Sequence, residues 1–466
     1  MTLFGLDEAN VRRLVAGVTT ESELEDTDVA DRFARAAWSV ITEPGDGIAG
    51  TLAAELGAAD ALTYVLDTAD RSRLACPAPA GSRGGSAGSV VTVGSPGVER
   101  MTDVPGSAPS QDGTARVGRA TSAPDPIVDE SHRTRIDEPP AGSDQLKAAL
   151  HRWRPRLRSA DVERALTSAA RIHAELLVPT GSGGPTAPWP WGVDDLGSHA
   201  PIALWARGDP SRISDVRSTV ALVGARAATG YGEHVASELS AGLADLGNTI
   251  VSGAAYGIDG TAHRAALAVG GLTFAFLAGG VDRFYPAGHD DLLRRVVEHG
   301  LVLSELPCGA APTKWRFLQR NRLIAAASAV TVVVEAGARS GSLNTAGHAA
   351  ALGRPLAAVP GPVTSPASAG CHRLFREYDA VCVTNTRDVA ELIAPEASGP
   401  ASAAIDGPET KRIVDALSTR AGRTADELAT LAGLSVASTL AVLGGLELDR
   451  RVREQGGGWV AVSAQR

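Results

Sequence analysis

A segment near residue 314 concentrates positive charge and aromatic rings. Residues 314–322 read Lys-Trp-Arg-Phe-Leu-Gln-Arg-Asn-Arg, with four cations, two aromatic residues and no acid. The whole chain carries a formal net charge of −9 and only three lysines, so this concentration is local. Cations neutralise phosphates, and flat side chains stack on unpaired bases of any sequence. The segment predicts a groove for single-stranded nucleic acid. The alternative is an amphipathic helix start, with Phe317 and Leu318 in the core and the arginines in solvent.

Three loops rich in glycine and hydroxyl residues follow predicted strands, at residues 224–232, 252–259 and 339–342. Backbone amides at helix N-termini hold anions, and glycine lets a phosphate approach the chain closely. The alternative to an anion-binding role is that these glycines only allow the chain to turn. Three such loops at one sheet edge, together with nearby cations, favour a phosphate-binding rim. The predicted site residues in these loops and in the basic segment are Gly224, Arg226, Ser252, Gly253, Lys314, Phe317, Arg320, Asn321, Arg322, Ser340 and Gly341.

The standard nucleotide fingerprints are missing. Arg226 takes the third place of the first turn, so no Gly-x-Gly-x-x-Gly follows the first strand, and no P-loop motif occurs. Asp259 is predicted to cap its helix. His263 is either a base beside Asp259 or, as is more usual for a histidine on a helix face, a structural residue. We find no nucleophile with a base and an orienting acid, so we predict binding without turnover, with no catalytic residue and no cofactor.

Composition limits the class of protein. A chain of 466 residues with 44% hydrophobic residues is long enough for two or three domains with sizeable cores. We see no signal peptide and no apolar run of membrane-spanning length, so we expect a cytoplasmic protein without a membrane partner. None of the cysteines forms a Cys-x-x-Cys pair, which argues against zinc and predicts four free thiols; they are Cys76, Cys308, Cys371 and Cys382.

The elements that must position these loops alternate between strand and helix. Apolar strand-like runs occur at residues 220–223, 249–251, 273–277, 301–303, 330–334 and 356–359. Helical patterns occur at residues 233–246, from 259, at 290–298 and at 343–352. Continuously apolar strands that alternate with helices predict a parallel sheet covered on both faces. The fold class is α/β, an extended Rossmann-like doubly wound parallel sheet whose ligands lie beyond the carboxyl ends of the strands.

The remaining segments divide the chain further. We predict an N-terminal helical region at residues 1–76, and its continuation at 146–184 carries helical patterns at 146–153 and 161–177. Residues 77–145 between them contain no leucine and no aromatic residue, so we predict a disordered insertion. The Rossmann-like domain is assigned to residues 185–395, and a linker rich in small residues to 396–408.

The C-terminal residues 409–466 predict a winged-helix domain. Helical residues 409–417 are followed by a capping box at Thr424 and Glu427, and Ser435 is placed to cap a third helix. Residues 451–462 predict a two-stranded wing. The third helix, at residues 436–446, has no Lys or Arg, which favours a protein contact over duplex reading; Arg450, Arg451 and Arg453 leave DNA contact open.

These motifs, in this order, closely resemble the DNA-processing protein A family, also called DprA or Smf. The matching run begins at 223–226, continues through 252–259 with 262–263, 285–286 and 304–305, and includes Lys314–Phe317 and 320–322. It ends with Glu335, 339–342, 345–346 and 360–361. About 200 residues are covered by many motifs in fixed order, which makes a chance match improbable.

The resemblance implies a single-stranded-DNA-binding protein that loads the RecA recombinase during natural transformation, dimerises through its Rossmann domain and has no established catalytic activity. The family's phosphate-binding turn falls on residues 224–226, where Ala225 replaces the hydroxyl residue. Its cation and stacking aromatic fall on Lys314 and Phe317. Tyr256 occupies a position where arginine is common in the family, so this chain lacks a cation there and has an aromatic stacking face instead.

Two other function classes are alternatives. A nucleotide-binding enzyme or sensor on a Rossmann-like fold is the first, but the Pro-Gly-Gly-x-Gly-Thr loop of the nucleoside-monophosphate-processing group is absent at residues 336–341. A transcription regulator led by the winged helix is the second, and the uncharged third helix of the tail disfavours it.

Overall fold

The computed structural model describes residues 2–21, 24–74, 144–179, 188–214, 216, 218–393, 407–418, 421–448 and 450–462. The chain divides into two compact units, Met1–Ile393 and Ala394–Arg466. Cys76 and almost all of the predicted insertion and linker lie outside the described residues. The exceptions are Asp144 and Gln145, which begin a helix, and Gly407 and Pro408.

The first unit contains thirteen α-helices and eleven strands among its described residues. The helices are α1 Glu8–Ala16, α2 Asp26–Ile41, α3 Gly47–Leu56, α4 Ala58–Leu74, α5 Asp144–Trp153, α6 Ser159–Arg171, α7 Gly230–Asp245, α8 Ile258–Ala268, α9 Asp290–His299, α10 Lys314–Ala326, α11 Ser342–Ala351, α12 Ala369–Glu377 and α13 Thr386–Ile393. The strands are β1 Thr2–Leu3, β2 Leu6–Asp7, β3 Ala174–Leu177, β4 Leu204–Gly208, β5 Thr219–Gly224, β6 Thr249–Ser252, β7 Thr273–Phe276, β8 Leu301–Ser304, β9 Val330–Glu335, β10 Leu356–Ala358 and β11 Val381–Cys382.

Nine of these strands form one sheet in the order β11-β10-β9-β5-β6-β7-β8-β4-β3. Seven neighbouring strands, from β11 to β8, run parallel, which confirms the predicted doubly wound architecture. Strand β4 runs antiparallel to β8, and β3 runs antiparallel to β4, so the sheet is mixed and not wholly parallel.

The antiparallel edge corrects a sequence prediction. Residues 161–177 were expected to form one helix, but α6 ends at Arg171 and β3 starts three residues later. His173 between them has a φ of 54°, in the left-handed region, which breaks the helix. The buried Leu176 and Leu177 pack in the sheet on opposite faces, as alternate residues of a strand do.

Three groups of helices cover the two faces of the sheet. One face packs against α10, α11 and α12. On the other face, α7, α8 and α13 cover β5, β6, β9 and β10, whereas α9 and the six N-terminal helices cover β7, β8, β4 and β3. Trp38, Trp153 and Trp205 are fully buried in the last of these cores. The N-terminal helices therefore share a core with the sheet.

The second unit has the helix order predicted for a winged helix. Its helices are α14 Pro408–Ala416, α15 Ala425–Ala432 and α16 Val436–Leu448, and its wing is β12 Val452–Gln455 paired antiparallel with β13 Gly458–Ala461. The predicted capping box of Thr424 and Glu427 is present, and the Ser435 hydroxyl accepts a hydrogen bond from the Ser438 amide at 3.1 Å. Among the described residues, no single helix could cross a membrane by itself; α15 and α16, bent by 106°, meet that test as a pair by length and composition.

Candidate nucleic-acid interface

The parallel strands place their carboxyl ends, and the loops that follow, at one edge of the sheet. Strands β6, β7 and β8 extend from one side of β5, and β9 lies on its other side. The direction in which the chain adds strands to the sheet therefore reverses at the β5/β9 pair. The crevice at such a reversal is where open α/β sheets bind ligands. The loops after β5 and β9 meet at this point, and α10 begins beside them.

The loop after β5 lies close to its neighbours. A Cβ at Gly224 would overlap the Ile258 side chain of α8. The Ala225 amide donates to the Glu335 carbonyl at 2.7 Å, which joins the ends of β5 and β9. Arg226 is exposed beyond this junction. The turn therefore needs glycine at its first position for close packing, and it presents the arginine to solvent.

A buried carboxylate organises the same crevice. Glu335 is 2% exposed and accepts hydrogen bonds from the Thr229 amide and hydroxyl, both at 2.8 Å. The Thr229 hydroxyl in turn accepts from the Gly232 amide at 3.2 Å, which caps α7. Because both Glu335 oxygens are engaged by Thr229, this acid orients the start of α7.

The loop after β6 is closed by Asp259, which corrects the predicted role of that residue. The cap of α8 is Gly257, and the Asp259 carboxylate accepts from the amides of Gly253 at 3.1 Å and Ala255 at 3.3 Å. Burial raises the Asp259 pKa, while the Arg320 charge and these amides oppose the rise. Ser252 is fully buried, and its hydroxyl donates to the Leu222 carbonyl at 2.6 Å. Ser252 thus supports the loop from below.

Arg320 lies beneath the loop. It is 5% exposed, its Nη1 donates to the Phe276 carbonyl at 2.7 Å, and its Nε has no hydrogen-bond partner. Burial lowers the Arg320 pKa to about 10, so the guanidinium remains charged at neutral pH. A Cβ at Gly253 would overlap that guanidinium. Gly253 therefore allows a buried cation to lie directly against the loop.

Two further residues of the basic segment hold the structure together. Arg322, predicted to lie on the phosphate rim, is 3% exposed; its Nη2 pairs with Glu305 at 2.7 and 2.9 Å, and its Nε donates to the His199 carbonyl. Asn321 is buried and donates to the Gly341 carbonyl at 3.3 Å, which ties α10 to the loop before α11. Neither side chain is available to a ligand at the surface.

The exposed part of the segment combines charge with a ring. Lys314 is exposed, Trp315 is half-exposed and Phe317 is partly buried. The guanidinium carbon of Arg226 lies 4.8 Å from the centre of the Phe317 ring, and that of Arg320 lies 5.9 Å from it. Cations at these distances attract the ring face. Three predicted site residues, Arg226, Phe317 and Arg320, are thereby brought to one place, and Lys314 begins the helix that contains Phe317.

The loop after β9 completes the edge. The Ser340 hydroxyl lies 2.7 Å from that of Ser342, the first residue of α11, and Gly341 between them is exposed. Arg339 is exposed as well. The loop therefore presents an arginine, a hydroxyl and a helix N-terminus beside the crevice, a combination that suits an anion.

His263 is a structural residue and not a base at the surface. It is fully buried, and its Nδ1 lies 2.7 Å from the Thr273 hydroxyl, which donates to the Ile250 carbonyl. Because that hydroxyl is the donor to Ile250, the histidine carries a proton on Nδ1, and its low pKa keeps the ring neutral at pH 7. Desolvation lowers the His263 pKa to about 3.

Within the described residues, no group of three or more His, Cys, Asp and Glu side chains is placed to hold a metal ion. Cys308, Cys371 and Cys382 are free thiols. Burial raises the pKa of Cys308 to about 12 and that of Cys371 to about 11.

The sequence did not reveal that two arginines of the basic segment are paired with acids from elsewhere in the chain. Arg316 pairs with Glu43, 273 residues away, and Arg322 pairs with Glu305. No local pattern marks either acid as a partner, because each pair forms only when distant elements pack together. The segment has two sides: its buried arginines join elements, and its exposed side faces the crevice.

Comparison with known proteins agrees with this architecture. Residues 186–394 match the family model of DNA recombination-mediator protein A, and residues 396–458 match the DprA winged helix domain. A relative from Mycobacterium tuberculosis strain H37Rv, assigned as a DNA processing protein DprA, is 49% identical over 269 residues, which are 56% of this chain and 69% of that protein. DprA of Bacillus subtilis is 37% identical over 191 residues, 41% of this chain and 64% of its own.

Two solved structures are similar as well. The X-ray structure of DNA processing protein A from Streptococcus pneumoniae is 32% identical, with a TM-score of 0.46 over 53% of this chain and 84% of its own. The Helicobacter pylori protein, whose single-stranded DNA binding mode has been described, is 28% identical, with a TM-score of 0.42 over 48% of this chain and 97% of its own. On the family models and the curated relatives, the chain belongs to the DNA recombination-mediator protein A (DprA/Smf) family.

Proposed function

We propose that this protein is a recombination mediator that binds single-stranded DNA along the carboxyl edge of its sheet. In this role it protects incoming DNA and loads RecA during natural transformation. The observation that carries the proposal is the cluster of Arg226, Lys314 and Phe317, in which an exposed arginine lies 4.8 Å from a ring at the crevice of the sheet. Cations that flank a ring can hold a phosphate and the base beside it.

Single strands fit this surface better than duplexes. The Phe317 ring offers a face to an unpaired base, whereas duplex bases are already stacked on one another. Helix α16 contains no Lys or Arg, and its one charged residue is the exposed Glu447, so it offers no cation for a major groove. We therefore expect little base preference and a clear preference for single strands.

The proposed role needs binding and no covalent step. Asp259 and His263, the two groups at which the sequence raised acid–base chemistry, are both buried and hydrogen-bonded. Their hydrogen bonds go to the protein itself, which supports a scaffolding role for both.

RecA and a second copy of this chain are the proposed protein partners, with the second copy bound through the Rossmann-like domain. Family membership supports both, and a RecA partner is consistent with the cytoplasmic location that we propose. The test is RecA assembly on single-stranded DNA precoated with single-strand-binding protein. We expect this protein to shorten the lag before assembly; an unchanged lag at saturating protein would refute the mediator role and leave DNA binding to be judged separately.

The DNA-binding proposal is tested by anisotropy titration of labelled single-stranded and duplex oligonucleotides at several salt concentrations. If Arg226, Lys314 and Arg339 each neutralise one phosphate, log affinity falls against log salt with a slope of about −2, at about 0.7 per contact. Arg226→Ala and Lys314→Ala are each expected to reduce the slope by about 0.7. The matched control is Arg295→Ala, an exposed arginine on α9. Binding that ignores salt, or an equal loss in the control, would contradict the proposal.

A further inference from the structure

Two tyrosines outside the phosphate-binding set lie at the same sheet edge. Tyr256 follows β6 and Tyr285 follows β7, and each residue is 48% exposed. Tyrosine rings in proteins commonly bury most of their area. Two half-exposed rings on adjacent loops therefore present flat apolar faces to solvent beside the proposed DNA site.

The Tyr256 ring is held in place from two sides. Its hydroxyl accepts a hydrogen bond from the Gly288 amide at 3.3 Å. Its ring meets His289 edge-on, with centroids 4.8 Å apart and planes at 71°. The Nδ1 of His289 lies 3.0 Å from the Ala254 carbonyl, which anchors that histidine to the loop that carries Tyr256. The exposed face of Tyr256 is thus fixed relative to both loops.

Tyr285 extends the aromatic surface of the proposed site. Its ring centroid lies 5.5 Å from that of Phe317, with the planes tilted by 55°. Phe317 in turn lies under Arg226 at 4.8 Å. The contacts therefore run from Arg226 through Phe317 to Tyr285, and then through the loop to Gly288 and Tyr256.

The backbone of the loop after β6 is built for this arrangement. Ala254 has a φ of 56°, a conformation unfavourable for a residue with a Cβ, and such conformations persist where the surroundings impose them. Gly257 has a φ of +72°, and a Cβ there would overlap the carbonyl oxygens of Ala225 and Arg226. The loop that carries Tyr256 therefore packs directly against the turn that presents Arg226.

We propose that Tyr256 and Tyr285 form a second stacking surface, which receives unpaired bases adjacent to the base on Phe317. This inference rests on the proposed binding of single-stranded nucleic acid and names the part of the ligand, the bases, that this surface recognises. A neutral ring that stacks on a base contributes to the binding free energy, but it neutralises no phosphate and therefore releases no counterion from the DNA. The tyrosines therefore contribute affinity without contributing to the salt slope.

The experiment compares two probes of equal length, an oligo(dT) and an abasic deoxyribose-phosphate strand, titrated into the full-length protein. Tyr256→Ala and Tyr285→Ala are each expected to weaken oligo(dT) binding by about 5- to 150-fold, the equivalent of stacking one base. Affinity for the abasic strand and the salt slope stay at wild-type values. Tyr285→Phe, which retains the ring, restores the oligo(dT) affinity that alanine loses.

Three further variants sharpen the result. Tyr256→Arg replaces a ring with a cation, so it is expected to weaken oligo(dT) binding, strengthen abasic binding and steepen the salt slope by about 0.7. Arg226→Ala weakens both probes. Tyr64→Ala, an exposed tyrosine on α4, is the control and changes neither.

The outcomes separate the two proposals. A wild-type protein that binds neither probe overturns both the proposed function and this inference. A wild-type protein that binds oligo(dT), with alanine variants that match it, overturns the inference alone. Alanine variants that lose both probes equally and melt at a lower temperature also overturn it, because the rings then serve the fold. Loss confined to oligo(dT), with an unchanged melting temperature, supports it.

Discussion

The Glu43 carboxylate accepts two hydrogen bonds from the Arg316 guanidinium, from Nε at 2.9 Å and from Nη2 at 2.8 Å. Glu43 follows the second helix of the N-terminal region, and Arg316 lies in the first turn of α10, between Lys314 and Phe317. Arg156 adds a contact to the same carboxylate at 2.6 Å. The N-terminal helices therefore hold in place the turn that carries two of the proposed DNA-binding residues.

Glu43→Ala is expected to weaken both the fold and the DNA site. Arg316 is largely buried, and the loss of its acceptor costs about 1–3 kcal/mol of unfolding free energy. A loosened first turn of α10 is expected to reduce single-strand affinity by about tenfold. Chemical denaturation and anisotropy measure the two effects. Glu55→Ala, an exposed acid on α3, is the control. Full DNA affinity in a destabilised Glu43 variant would show that the N-terminal helices do not position the site.

The contribution of Glu43 should depend on pH. Burial raises the Glu43 pKa, but hydrogen bonds from Arg316 and Arg156 outweigh burial and hold it below the ordinary value of 4.5. A depressed carboxylate pKa gives stability that is present above 4.5 and is lost as pH falls through the folded-state value. The difference in unfolding free energy between wild type and Glu43→Ala should therefore shrink below pH 4.5. A difference that stays constant down to pH 3 would contradict this assignment.

Phe317→Ala separates stacking from packing. Loss of the ring is expected to reduce oligo(dT) affinity by about 1–3 kcal/mol. If Phe317 serves mainly the core, the melting temperature falls instead and affinity is retained. Anisotropy and thermal melting on the same preparations distinguish the two roles.

Gly253→Ala is expected to displace the buried Arg320. The added Cβ would overlap the guanidinium, which is hydrogen-bonded to the Phe276 carbonyl and packed beneath the loop. We expect a loss of about 1–3 kcal/mol in unfolding free energy and weaker DNA binding. Gly230→Ala is the matched control, since nothing lies within 4 Å of a Cβ there. Equal stability of the two variants would mean that Arg320 moves aside without cost.

His263 should make the fold sensitive to acid. Burial lowers its pKa to about 3, and the charges of His289, Arg320 and Arg264 act in the same direction. A histidine pKa depressed in the folded state gives stability that is present above the unfolded value of about 6.5 and is lost as pH falls below it. Between pH 7 and pH 5 this loss amounts to about 2 kcal/mol. His263→Gln, which keeps a donor but does not titrate, should lose less over the same interval; an equal loss would assign the sensitivity elsewhere.

Removal of Ala394–Arg466 should leave single-strand binding nearly unchanged. The proposed DNA-binding residues all lie in the unit Met1–Ile393, which is compact by itself. We expect a dissociation constant within about threefold of the full chain, under about 0.7 kcal/mol. Titration of both proteins at matched salt decides the matter. Abolished binding would make the winged helix the principal DNA site.

The sequence alone determined the parallel part of the sheet and the order of helices and strands in the tail, but not the antiparallel edge of β3 and β4. Continuous apolar runs such as those of β5 and β9 have the length of strands buried on both faces, and local capping at Thr424 and Ser435 marks where helices begin. These signals depend only on residues that are neighbours in the sequence, so they can be recognised without knowledge of the fold. The proposed place of the ligand rests on the same signals, because carboxyl ends of parallel strands share an edge.

Only the tertiary structure decided which cations face that edge. Lys314 and Arg316 are two residues apart, yet Lys314 is exposed while Arg316 is bound to Glu43. Arg322 likewise forms an ion pair with Glu305, and the Ser252 hydroxyl donates a hydrogen bond to a buried carbonyl. An arginine that joins two elements and an arginine that is free to bind a phosphate are the same residue type, so the sequence does not distinguish these two roles. The difference lies in whether packing brings an acid from a distant part of the chain within hydrogen-bond reach, because charge pairing between elements depends on distance in space and not on separation in sequence.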